Sequence, residues 1–183
     1  MSIITSFILA LATVVGAARQ PESNALRQTA PHYLATDAEA AVHLAAATYA
    51  GEAFSVDPAL LLSIVWYESR YDVRAVTRER SGRLSCGLTM VTMRLGEPCP
   101  EPSVFDSYLR GAEHLNEWVR MCRGDLTCAM RGYAGGFPAI EQCAAQQEAG
   151  SLSGACARIE ARHQRAAWIR TKLQRSVREG ASS

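Results

Sequence analysis

Cysteine is missing from the first 85 residues of this 183-residue chain. None of the six that follow (Cys86, Cys99, Cys122, Cys128, Cys143 and Cys156) stands in a Cys-x-x-Cys pair, and no spaced histidine pair comes after them. The zinc-finger and zinc-ribbon patterns therefore fail. Net charge is nearly absent, with 19 basic against 18 acidic residues. Such a balance supplies no global field for gripping nucleic acid, which is not an expected partner. Gly132, Gly135 and Gly136 follow no strand and precede no Lys-Ser/Thr, so they are not a phosphate loop. The histidines His32, His43, His114 and His163 are scattered beside no Cys or Ser, which argues against a Cys or Ser hydrolase. No cofactor motif and no metal-ligand set is read, nor any internal repeat.

The composition, 48% hydrophobic and 20% charged, is that of one globular domain. An even cysteine count fits disulfides, which need an oxidising compartment. Residues 1–18 carry no charged side chain, and Ile3 to Val15 is strongly apolar. Small residues Gly16, Ala17 and Ala18 come next, then the first charge at Arg19 and a helix breaker at Pro21. That order reads as an export signal cleaved near Ala17 or Ala18. Its alternatives are a retained membrane anchor and a soluble apolar arm. The first two place the body outside the cytoplasm, periplasmic or extracellular, in agreement with the cysteines.

Residues 19–35 are polar, contain Pro21 and Pro31, and read as a linker. Thr36-Asp37-Ala38-Glu39 is a capping box that opens an Ala-rich helix ending at Gly51. Asp57-Pro58 starts a second helix, with Asp as cap and Pro in the first turn. The segment around residues 73–102 is irregular, and any strand in it is short, such as Leu88 to Met93. A helix is expected from Phe105 to Cys122, and Asp125 caps another to Gly132. A further helix spans Cys143, and a long last one runs from Cys156 to Val177. The reading is a mainly α, single, disulfide-stabilised domain at 36–178, with a tail at 179–183. About 145 residues can bury about two-thirds of their unfolded surface. The last helix is basic: Arg158, Arg162, Arg165, Arg170, Lys172, Arg175 and Arg178 stand against Glu160 alone. It reads as a solvated face, with contact to an anionic envelope polymer or lipid head groups as the alternative.

The helix after Asp57 holds the residue best placed for chemistry. Leu61, Ile64 and Val65 precede Glu68 by seven, four and three positions, on the same face. The carboxylate in the last turn thus points toward the core. Desolvation and the negative helix end both favour its protonated form, which is what a general acid needs. The competing reading is a boundary Glu paired with Arg70, Arg74 or Arg78.

Glu68-Ser69-Arg70-Tyr71, then Gly87-Leu88-Thr89-Met90, then Gly132-Tyr133-Ala134-Gly135-Gly136 together resemble the lysozyme-like lytic transglycosylases. That family shows Glu-Ser-x-aromatic, Gly-Leu-Met-Gln and Ala-Tyr-Asn-Ala-Gly in the same order. The likeness spans about residues 55–137. Two positions depart from the pattern: Met90 replaces the family's Gln and Ala134 its Asn. The gap from Glu68 to Gly87 is also longer.

The resemblance implies a lysozyme-like fold and, as partner and substrate, the glycan strands of peptidoglycan. The bond cut is the β-1,4 link between N-acetylmuramic acid and N-acetylglucosamine. Glu68 would serve as acid and then base, giving a 1,6-anhydro product; this chemistry asks for one acid, and no second carboxylate is an obvious partner. By family position Ser69 orients Glu68, Tyr133 sits beside the scissile bond, and Gly87 and Leu88 shape the cleft floor. Tyr67 or Tyr71 is placed to stack on a sugar, whereas Trp66, Trp118 and Trp168 read as core. The same fold also admits a hydrolytic muramidase, and a silent wall-binding or virion protein. Fifteen cysteine connectivities exist; the shortest loops pair Cys86 with Cys99, Cys122 with Cys128 and Cys143 with Cys156.

Overall fold

The computed structural model describes residues 20–180, with side chains described to residue 176. The signal or anchor reading of residues 1–18 lies outside the described residues. The fold is mainly helical: α1 (Gln20–Thr29), α2 (Asp37–Phe54), α3 (Pro58–Glu68), α4 (Val104–Met121), α5 (Leu126–Glu148) and α6 (Gly154–Gly180). Between α3 and α4 lies an antiparallel sheet of three short strands, β1 (Val76–Arg78), β2 (Leu84–Cys86) and β3 (Val91–Thr92). Val76 pairs with Cys86, Arg78 with Leu84, and Ser85 with Thr92.

Helix α3 runs through the middle. Every residue from Ala59 to Val65 is buried, and α2, α4 and α6 pack around it. The expected single apolar face is thus an apolar cylinder, which only a central helix can satisfy. Its start follows the expected chemistry: Asp57 accepts the Ala59 N–H at 2.9 Å, with Pro58 in the first turn. Helix α2 opens on the Thr36/Glu39 capping box and runs past Gly51 to Phe54, where Ser55 takes a left-handed cap.

Residues 20–29 are not a linker. They form a helix whose Leu26, with Ala30 and Leu34 beyond it, is buried in the common core. Only Ala25 and Leu26 are apolar and buried within the helix, and Ala30 and Leu34 follow it in the turn, so no apolar period shows in the sequence. Pro21 begins the helix instead of breaking it, because a first-turn proline loses no helical hydrogen bond. The two helices expected around Gly132 and Cys143 are both present within α5, separated by the non-helical Gly135 and Gly136 just before Pro138. The strand expected over Leu88 to Met93 shrinks to Val91–Thr92, because Leu88 is fully buried in the helical core and Met90 is at φ +50°.

The three disulfides follow the shortest loops, Cys86–Cys99, Cys122–Cys128 and Cys143–Cys156. The first ties the end of β2 to the loop before α4. The second brackets the α4–α5 turn, and the third clasps α5 to α6. The basic stretch of α6 is only partly a solvated face. Arg165 stacks between Trp66 and Trp168, 4.2 and 4.6 Å from the ring centres, and donates to the Thr29 carbonyl at 2.6 Å. Arg170 pairs with Asp57, while Arg158 and Arg175 stay exposed.

Candidate active site

A cleft of about 830 Å³ opens between the sheet and the α4–α5 pair, and Glu68 lies in its lining. Helix α3 ends here because the chain reverses. Ser69 and Arg70 both donate their N–H to the Val65 carbonyl at 3.1 Å. Arg70 and Tyr71 then take φ values of +57° and +65°. Two successive non-glycine residues in the left-handed region are strained. The packing of Tyr71 holds them: its ring meets the His43 ring at 4.9 Å and its hydroxyl donates to Leu62 O at 3.4 Å. Tyr71 is therefore core, 7% exposed, and is not the sugar-stacking ring expected of it. Tyr67 turns from the cleft toward Trp66, at 4.7 Å.

Glu68 faces inward, as its helix position predicts, but its partner is none of Arg70, Arg74 or Arg78. Its Oε1 lies 2.6 Å from Nη1 of Arg162 on α6, the carboxylate side chain being 22% exposed and the guanidinium 12%. Nε and Nη1 of Arg162 are buried without a hydrogen-bond acceptor. Arg162 favours the Glu68 carboxylate by its charge and by this close contact. Burial raises the Glu68 carboxyl above the ordinary Glu range, Arg162 pulls it back, and the charge of Glu79 adds to the rise. Glu79 lines the same cleft, its Oε1 accepting the Ser85 hydroxyl at 2.6 Å. So a second carboxylate does face the cleft.

These causes fix the signs of three shifts. In the oxidised protein, an NMR titration of the Glu68 side-chain carbon is expected to show a midpoint above that of a free Glu. Arg162→Gln removes the cation that favours the carboxylate and raises the midpoint further. Glu79→Gln removes a like charge and lowers it. Because the folded chain holds this proton more tightly than the unfolded chain, the group's stability contribution is present at low pH. It is lost as the pH rises through the raised midpoint. Midpoints unmoved by either substitution would contradict this electrostatic assignment.

The other predicted residues divide. Tyr133 lines the cleft with Glu68 and donates its hydroxyl to Thr89 O at 2.6 Å. Burial first, and then the Glu68 charge, raise its phenol, which stays protonated. Thr89 donates in turn to Ser107 O at 2.9 Å, so α5, the Gly87–Met90 turn and α4 are tied together. Met90 lines the cleft, in the left-handed region at φ +50°. Ser69 is buried and its hydroxyl donates to Val65 O at 3.2 Å, a helix-end bond with no contact to the carboxylate. At the helix end the hydroxyl joins its own backbone N–H on the i−4 carbonyl.

Gly87 and Leu88 are not the cleft floor. Leu88 is core, and Gly87 stands behind it at φ +73°, where a Cβ would lie 2.7 Å from the Ser107 hydroxyl. The glycine is needed for that close approach.

The far wall includes His114, which sequence reading left out of the site, and Trp118, which it read as core and which is core with an edge on the cleft. His114 and Trp118, one turn apart on α4, both line the cleft, with Trp118 Nε1 donating to His114 Nε2 at 3.3 Å. Gly132 lets this wall close, since a Cβ there would stand 2.2 Å from Trp118 Cε3. Trp118 is 8% exposed, half core and half cleft edge. The i, i+4 spacing of His114 and Trp118 was the available signal.

Among the described residues, no group of three or more His, Cys, Asp or Glu is placed to hold a metal ion. No helix among them is long and apolar enough to cross a membrane. Comparison with protein-family models, curated proteins and solved structures returns no match for this chain.

Proposed function

We propose that this protein is an exported lytic transglycosylase that cuts the glycan strands of peptidoglycan, with Glu68 as its acid and base. One observation carries the reading: a carboxyl whose proton affinity is raised by burial closes the central helix and faces a cleft large enough for several sugar rings. A buried helix that delivers a Glu to a cleft beside a small sheet accords with a lysozyme-like domain.

Glu68 protonates the glycosidic oxygen as the bond to C1 breaks. The resulting carboxylate takes the proton of the muramoyl 6-hydroxyl, and that oxygen closes on C1. The proton returns to Glu68, no water is consumed, and the product is a 1,6-anhydro sugar. Arg162 limits the charge change at each step, since its cation favours the carboxylate that forms after the first transfer. The protonated Tyr133 adds no second negative charge beside it. The reading places the catalytic domain outside the cytoplasm, with residues 1–18 as its export signal or membrane anchor.

Glu79 favours a second reading. A carboxylate across the same cleft is what a hydrolase needs to activate water, and the product is then a reducing sugar. Digestion in ¹⁸O-labelled water separates the two. Transglycosylation is expected to leave the new ends unlabelled, and Glu79→Gln to retain most of the activity. Labelled ends, with activity lost in Glu79→Gln, would establish the hydrolase instead. Met90 and Ala134 both line the cleft where the family carries polar groups. They remove two hydrogen-bonding groups from a sugar's surroundings, which keeps a silent wall-binding protein as the third outcome.

A further inference from the structure

The cleft has two unlike walls. The far wall, from α4 and α5, presents rings and glycines, while the near wall is the turn between β1 and β2 and carries Arg80 and Arg83. Neither arginine makes an ion pair among the described residues. Of the carboxylates in this cleft, Glu68 is paired with Arg162, while Glu79 accepts only the neutral Ser85 hydroxyl and keeps its charge. Two arginines thus stand against one carboxylate on the near wall, and its balance is positive.

The arginines also stand on a fixed support. Glu79 N–H donates to Arg83 O at 2.8 Å, Gly82 N–H to Glu79 O at 2.9 Å, and Arg78 Nη1 to Gly82 O at 3.2 Å. A short, bonded turn presents the two guanidinium groups three positions apart, and a planar guanidinium matches a carboxylate in shape and charge. A neutral glycan has no group that calls for them.

We infer that Arg80 and Arg83 bind carboxylates pendant on the glycan, so that the cleft selects an acid-bearing strand over a neutral N-acetylhexosamine polymer. This rests on the reading of the cleft as a glycan site and names the chemistry it selects. The acids have two sources in such a strand, the lactyl group of the muramoyl sugar and the peptide stem attached to it. The rings of the strand lie toward Trp118 and Tyr133, and the acidic substituents toward the arginine turn.

Titration calorimetry on the full oxidised Glu68→Gln chain tests this without turnover. Three probes of equal glycan length are used: one with peptide stems, one stripped to its lactyl carboxylates, and an N-acetylglucosamine oligomer. The stem-bearing probe is expected to bind about tenfold more tightly than the neutral oligomer, the scale of two partly exposed charge contacts. The preference shrinks with added salt and disappears in Arg80→Gln/Arg83→Gln. A step between the first two probes assigns the stem carboxylates, and one between the last two assigns the lactyl group. Equal binding of all three probes, or a preference that survives both substitutions, overturns the inference and leaves a glycan site standing. No binding of any probe by a folded chain removes the glycan reading and this inference with it.

Discussion

Replacing Glu68 by Gln is expected to lower the rate of glycan cleavage by about 10²- to 10⁴-fold, the range that a general acid and base supplies. The amide keeps the size of the side chain but has no proton to give and no negative charge to take one. The fold should persist, since α3 is held by the buried run from Ala59 to Val65 and not by its last turn. The substitution leaves Arg162, at 12% exposure, without its counter-charge, and some stability is lost with that pairing. Glu68→Gln/Arg162→Gln removes both charges and separates the two effects: its thermal midpoint should recover while its activity stays low. A Glu68→Gln protein that is folded yet keeps a tenth or more of the rate would show that another group supplies the proton.

The second large effect concerns the clasp between α5 and α6. Cys143 and Cys156 are 1% and 3% exposed and close a loop of 13 residues. Cross-linking a loop of that length lowers the entropy of the unfolded chain by about 3 kcal/mol. Cys143→Ser/Cys156→Ser should therefore lower the thermal midpoint by about 6–12 °C in a domain of this size. Cys122–Cys128 closes a loop of only 6 residues, and its removal should lower the midpoint less. The larger loss has a functional side, because α6 carries Arg162. Calorimetric scans of the two variants under oxidising conditions check the order, and an equal or reversed order would contradict it.

Much of the scaffold is written locally in the chain. The capping box at Thr36, the Asp57-Pro58 start and the Asp125 cap each satisfy their own helix end. The inward direction of Glu68 is expected from a 3.6-residue apolar period, but residues 59–65 are buried on every side of the helix, so that period alone does not set it. The disulfide pairs fall where loop entropy is smallest. What escaped is set by distance along the chain. Arg162 stands 94 positions after Glu68, and nothing in a run of basic residues marks the one that turns inward. Glu79 reaches the cleft only because the β1–β2 turn folds back over it.

Helix α1 escaped for a different reason. Its buried side carries only Ala25 and Leu26 as apolar residues, beside Ser23 and Thr29, too weak to stand out until α2 and α6 cover it. Ser69 and Leu88 show the opposite error, in which residues adjacent in sequence to the site are drawn into helix-end and core packing instead. The order of motifs along the chain placed the cleft. The individual roles depended on which groups still had bonds to make.

In the proposed mechanism Glu68, closing the buried helix, cuts glycan strands by closing the muramoyl 6-hydroxyl onto C1. Mass spectrometry of the soluble fragments released from purified peptidoglycan by the oxidised protein, beside Glu68→Gln, tests it most directly. Fragments lighter by one water than their hydrolytic counterparts, ending in anhydromuramic acid and missing from the variant's digest, are the expected result. Reducing-end fragments, or no fragments from a folded wild-type protein, would contradict it.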